Sequence, residues 1–203
     1  MSYNVISLED MKEALGEKTL KTLLNSFECP LNEDVEYFIR DKAIQFLKMG
    51  VAKTFLVTTT HKGEHVIVGY FALADKVTKV KKKALTRTYK KRIAKFAKGN
   101  EYVQYYLVNL PLIGQLGKNF RYKDENLITG DVLLKLACDK VREAQRILGG
   151  QFVYLECEDK PKLKNFYESN GFVCFGKRNI EKDERSKNAG GYLLQMLRDL
   201  RHN

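Results

Sequence analysis

Apolar residues recur along this chain with two periods, and the switches between them mark out helices and strands. The first fifty residues read as helical. Ser7-Leu8-Glu9-Asp10 has the form of a capping box, and Thr19 to Phe27 carries a second apolar face. Past Cys29-Pro30, Val35, Phe38, Ile39, Ala43, Phe46 and Leu47 line one side of a helix over 32–49, which Gly50 stops. Strands over 54–58 and 65–73 follow, joined by a His61-Lys62-Gly63 turn. An aromatic strand over 102–108 is broken at Leu110-Pro111 before a central strand that runs to Gly117. Helical spacing returns from Thr129 to about Leu148, through Val132, Leu133, Leu136, Ala137 and Val141, and Gly149-Gly150 ends it. Strand 152–157, a Pro161-opened helix and strands 172–176 and 192–197 complete the chain, with a polar, mobile loop over 177–188. No linker or repeat divides the 203 residues, which predicts a single α/β domain.

The stretch 112–134 draws this pattern together. An apolar strand gives way to polar and charged residues, and then Thr129-Gly130 opens a helix. A helix start has free N–H groups and the positive end of the macrodipole, which suit a pyrophosphate. Many strand–loop–helix units bind nothing, so the pattern needs a second signal beside it.

Charge changes the picture more than composition does. Residues 76–98, KVTKVKKKALTRTYKKRIAKFAK, hold eleven Lys or Arg and no Asp or Glu. The remaining residues carry 25 of each sign, so the net charge of +11 sits in this one insert, at about 76–100. Leu85, Tyr89, Ile93 and Phe96 recur at helical spacing, which predicts an amphipathic helix ending at Gly99-Asn100. Such a run is compatible with a solvated face, a nucleic-acid partner, an acidic protein, or an anionic membrane surface. Cys29, Cys138, Cys157 and Cys174 lack CxxC spacing and read as buried, reduced thiols of a cytoplasmic protein. His61, His65 and His202 form no metal-ligand pattern, and no apolar run reaches membrane-spanning length.

The second signal lies in residues 152–172, FVYLECEDKPKLKNFYESNGF: a strand, a Pro-opened helix, then Phe166-Tyr167 and Gly171-Phe172. Together with Ile113-Gly114-Gln115-Leu116-Gly117 upstream, these residues resemble the GNAT acyltransferase superfamily. The order FEC, VEYFIRDKA, KTFLV and VIVGYFALADK is similar to the subgroup that includes acetyltransferase toxins of toxin–antitoxin pairs, over roughly 27–172. The resemblance implies a mostly antiparallel mixed sheet with a central splay, flanked by helices. It implies acetyl-CoA as donor; no metal is expected, because the histidines and cysteines form no ligand pattern. The backbone of Leu116, Gly117 and Lys118 would hold the pantetheine, one of its N–H groups polarising the thioester carbonyl. Asn126, Ile128, Thr129 and Gly130 would line the pyrophosphate loop, Asn165 would lie along the cofactor groove, and Tyr167 would be the general acid. The family's phosphate loop reads Gln/Arg-x-x-Gly-x-Gly/Ala; with Gly130 as its last glycine, Glu125 and Ile128 stand at the other two places. Lys118, Arg121 and Lys123 are candidates for the CoA phosphates. By resemblance the partners are charged tRNA, held by the insert, an antitoxin, and a second copy in a homodimer.

No carboxylate lies between Tyr102 and Phe120, where many such enzymes carry a general base. An α-amine, with pKa about 7.7, loses its proton far more readily than a lysine at about 10.4. The acceptor classes are therefore the α-amine of an aminoacyl-tRNA or of a protein. The alternative is an idle fold module that binds nucleic acid or a protein.

Overall fold

The computed structural model describes residues 2–97, 104–180 and 191–201. A seven-stranded sheet has the order β1-β2-β3-β4-β5-β7-β6. Its strands are β1 Asn4–Ser7, β2 Lys53–His61, β3 Glu64–Lys81, β4 Tyr105–Lys118, β5 Phe152–Cys157, β6 Val173–Asn179 and β7 Tyr192–Asp199. The pairs β1–β2, β2–β3, β5–β7 and β6–β7 are antiparallel. Its helices are α1 Leu8–Leu15, α2 Glu17–Asn25, α3 Glu33–Tyr37, α4 Ala43–Lys48, α5 Arg87–Ile93, α6 Gly130–Leu148 and α7 Pro161–Ser169. The chain divides into two compact units, Met1–Ala74 with Ile113–Lys140 and Asp75–Leu112 with Val141–Asn203, and β3, β4 and α6 run through both.

In the first unit Ser7 caps α1 as its spacing predicts, its Oγ accepting from the Asp10 N–H at 3.0 Å. The four residues before it form β1, where the sequence predicts helix; four edge residues are too few for alternation to register. The helix expected over 32–49 is present but interrupted by a π-helical turn at Phe38–Lys42 between α3 and α4. Its start is capped by the Asn32 carboxamide, which accepts from Asp34 and Val35. Leu8, Leu20, Leu24, Phe27, Ile39 and Leu56 bury their side chains around Tyr70, whose hydroxyl donates to the Val35 carbonyl at 2.6 Å. Lys62 and Gly63 both take positive φ in the two-residue turn between β2 and β3, the geometry that matches the strands' twist.

The second unit corrects two expectations. β4 is continuous through Pro111 rather than broken there, because proline's fixed φ suits extended backbone and removes only one ladder donor. The basic segment is helical only in part: Lys76–Lys81 are the end of β3, Lys82–Ala84 form a short 3-10 turn, and α5 stops at Ile93. Alternation explains the strand, since Thr78 and Val80 are buried while Val77, Lys79 and Lys81 face out. Leu85 and Ile93 pack with Val80, Val108, Leu110, Phe152 and Leu197, so α5 docks by the apolar side its spacing predicts. The predicted helix end at Gly99-Asn100 lies outside the described residues. β6 runs on to Asn179, into the stretch expected as loop, and 181–188 of that loop also lie outside them.

Among the described residues no helix is long and apolar enough to cross a membrane. Cys29, Cys138 and Cys157 are buried, as expected; Cys174 is only half-buried, and all four are free thiols.

Candidate functional site

In the first unit the end of β4 leads into the loop before α6. Gly117 is glycine for a packing reason: a Cβ there would stand 2.5 Å from Val35 Cγ1 and 2.8 Å from the Tyr70 ring. Leu116 and Lys118, on the opposite face of the strand, are half-buried. The next residue, Asn119, is a buried amide that the sequence did not single out. It donates from Nδ2 to the Ile67 carbonyl at 2.8 Å and accepts on Oδ1 from Glu28 and Arg121. These bonds fix where the chain leaves the sheet.

A 3-10 segment, Phe120–Glu125, then brings the chain to Asn126, which adopts left-handed geometry with φ 44°. Lys118 Nζ donates to Asn126 Oδ1 at 3.2 Å, so these two predicted site residues meet. Leu127 and Ile128 are buried, and the Tyr3 hydroxyl donates to the Leu127 carbonyl. Ile128 can therefore serve the loop only through its backbone. Thr129 is the helix cap: its Oγ1 accepts from the Val132 N–H at 3.3 Å and its carbonyl from Leu133 at 3.1 Å. Gly130 is the first residue of α6. Glu125, at the place of the family's loop Gln or Arg, is turned aside to His61 and Lys62, with Lys62 at 3.0 Å, which holds its carboxyl below the usual range. Arg121 and Lys123 are exposed.

In the second unit Tyr167 and Asn165 lie on α7, Asn165 exposed and Tyr167 half-buried. The ending FYESNGF closes this helix. The Phe172 N–H bonds back to the Tyr167 carbonyl and the Gly171 N–H to the Glu168 carbonyl, with Gly171 at φ +78°. This is a Schellman closure, and its usual apolar contact is the Tyr167 ring edge-on to Phe172 at 5.8 Å. Phe166 flanks the ring from the other side at 5.0 Å. Among the described residues nothing hydrogen-bonds the Tyr167 hydroxyl. Burial, and then the neighbouring Cys157 thiol, push its phenol well above the ordinary value. Burial also pushes the Cys157 thiol up to about 12, so it stays protonated and inert at neutral pH.

A third cluster escaped the sequence reading, although its signal was there: Glu156 is the one charged residue in the strand FVYLEC. Its carboxylate takes Arg178 on both oxygens, at 2.8 and 2.6 Å, Lys76 at 3.1 Å, and the Tyr154 hydroxyl at 2.5 Å. Gln195 in turn donates to the Tyr154 oxygen. Burial works to raise this carboxyl, but Arg178, Tyr154 and Lys76 outweigh it and hold it below its usual range. An ionised carboxylate with its lone pairs engaged is a poor general base. Beside it, the basic segment leaves Lys79, Lys81, Lys83, Arg87, Lys91 and Lys95 exposed. Arg92 instead pairs at 2.7 Å with the buried Asp199, which Arg201 also reaches.

No protein-family model matches this sequence, and no curated protein does. Solved structures do match in fold. AtaT complexed with acetyl-methionyl-tRNAfMet is 16% identical with a TM-score of 0.61, over 95% of this chain and 94% of that one. A tyrosine-to-phenylalanine mutant of KacT is 14% identical with a TM-score of 0.61, over 96% and 94%. AtaTR bound with AcCoA is 15% identical with a TM-score of 0.55, over 95% and 91%. The chain thus has the GNAT-like fold that its sequence resembles, a central, mostly antiparallel sheet flanked by helices.

Proposed function

We propose that this chain is an acetyl-CoA-dependent N-acetyltransferase whose acceptor is the α-amine of an aminoacyl-tRNA. The observation that carries it is Tyr167: a phenol kept protonated, its ring clamped by the helix closure, its hydroxyl without a hydrogen-bond partner among the described residues. The donor and the product class come by analogy with the AcCoA and acetyl-methionyl-tRNAfMet bound to the structural neighbours. By the same analogy an antitoxin is a candidate partner, since an AtaT mutant toxin is bound to the C-terminus of the antitoxin AtaR.

The donor's pyrophosphate would take the N–H groups that open α6 behind the Thr129 cap, with Lys118 and Asn126 beside them. Backbone N–H groups at Leu116–Lys118 would polarise the thioester carbonyl. The neutral amine attacks that carbon, the C–S bond breaks, and the thiolate departs, with the Tyr167 hydroxyl in the acid's role that the family resemblance implies for it. A thiol's pKa of about 8.5 lies below a phenol's of about 10, and burial widens the gap. Tyr167 therefore serves by donating a hydrogen bond as sulfur gains charge, and full protonation of the thiolate comes from solvent. The amine's proton also goes to water, since β4 supplies no carboxylate and Glu156 is held ionised by its cations. The exposed cations of the basic segment would track the tRNA phosphates. Calorimetry tests the donor half: acetyl-CoA should bind the wild-type chain, whereas no heat and no thermal shift at millimolar acetyl-CoA would favour an idle binding module.

A further inference from the structure

The second unit also holds an open pocket of about 580 Å³ whose rim is basic and whose wall is aromatic and apolar. Its charges are not equivalent. Arg178 and Lys76 both pair with Glu156, so these two cations are engaged and one of their two charges is offset. On β3, Lys79 and Lys81 are exposed and enter no ion pair among the described residues. They are two residues apart on one face of the strand, about 7 Å along it. On the neighbouring strand β4, Tyr105 is 38% exposed and Leu107 44%. Two uncommitted cations beside an uncovered aromatic ring are what a nucleotide needs: the ring stacks a base of any identity and the ammonium groups take phosphate. The volume lies within the range of about 300–1,000 Å³ that small-ligand pockets occupy. An acidic peptide would use the lysines and leave the ring idle.

We propose that this pocket is a subsite for an unpaired RNA nucleotide, its base stacked on Tyr105 beside Leu107 and its phosphates held by Lys79 and Lys81. The subsite presupposes that charged tRNA is the acceptor, and gives its single-stranded part a station distinct from the cations of α5. Its place on β5 suits that use. Glu156 lines the pocket, and the next residue, Cys157, adjoins Tyr167 from the other face of the strand.

Fluorescence anisotropy of a short, labelled single-stranded oligoribonucleotide against the full chain tests this. Tyr105→Ala should weaken binding about tenfold or more, the scale of one lost base–aromatic stack. Tyr105→Phe should restore it to within about twofold, because the ring remains. The pair Lys79→Glu and Lys81→Glu should weaken it at least about tenfold and flatten its salt dependence, while Lys21→Glu on α2 should leave it unchanged. Wild-type affinity in Tyr105→Ala, or an equal loss in Lys21→Glu, would overturn the subsite. So would a nucleoside monophosphate binding as tightly as the oligonucleotide, which would assign the pocket to a small phosphorylated ligand. If Tyr105→Ala still binds and acetylates intact charged tRNA as the wild type does, the subsite fails and the acetyltransferase stands. If the wild type binds neither oligonucleotide nor tRNA, the tRNA acceptor itself is wrong.

Discussion

Tyr167 concentrates the chemistry in one hydroxyl. Replacing it with phenylalanine keeps the ring packed on Phe172 and removes only the donor. Turnover should fall by roughly ten- to a thousandfold, with acetyl-CoA affinity nearly unchanged; equal turnover where chemistry limits the rate would remove Tyr167 from the mechanism. Its raised pKa sets a sign as well. A phenol held above about 10 stays protonated throughout the working range, so no alkaline loss of kcat below pH 10 should come from this group. A kcat profile that falls between pH 8 and 10 in the wild type but not in Tyr167→Phe would contradict this. Gly117 makes the opposite point, because its role is steric. Gly117→Ala would force a methyl against Val35 and Tyr70, and urea unfolding should show a loss of about 1–3 kcal/mol. A stability equal to wild type would mean the strand end yields freely.

At the scale of elements, what the sequence showed and what it hid divide along physical lines. Helix starts were legible because caps are local: Ser7 before α1, Thr129 before α6, Pro161 in α7. The Gly171-Phe172 pair was visible only as part of the family ending, and the structure gives it a physical role. It is a closure that seats Tyr167, rather than chemistry in itself. Hidden were the features that depend on partners distant in sequence. The Glu156 cluster draws on β3, β5, β6 and β7, and Asn119 ties β4 to β3 and to Glu28. Neither has a local pattern. Proline within β4 misled for the same reason, since whether a missing N–H matters depends on the neighbouring strand. The Glu156 cluster carries a pH signature. Its carboxyl is depressed in the folded chain, so its contribution is complete above the unfolded value of about 4.3 and is lost as pH falls through the folded value. Thermal unfolding from pH 7 to pH 3 should show a steeper acid loss for the wild type than for Glu156→Gln. Parallel curves would mean that the cluster contributes no pH-dependent stability.

The whole molecule is electrically lopsided. Its excess of positive charge lies in 76–98, and the structure anchors 76–93 of that stretch by β3 and by the buried side of α5. Docked apolar residues hold the outward cations in a defined patch, which a solvated, unanchored run would not do. Reversing Lys83, Arg87, Lys91 and Lys95 to Glu should weaken tRNA binding strongly and flatten its salt dependence, whose log–log slope is about −0.9 per phosphate contacted in a duplex. Acetyl-CoA affinity should stay within about twofold, because none of these residues is among those assigned to the donor. Unaltered tRNA binding by this variant would leave the patch without a role in acceptor capture. The most direct measurement is transfer of labelled acetyl from acetyl-CoA to charged tRNA. The wild type should leave the label on the amino acid as its N-acetyl derivative after the ester is hydrolysed, and Tyr167→Phe should do so at least about tenfold more slowly. A wild type that binds acetyl-CoA but labels no charged tRNA would contradict the account, as would label found on the RNA rather than on the α-amine.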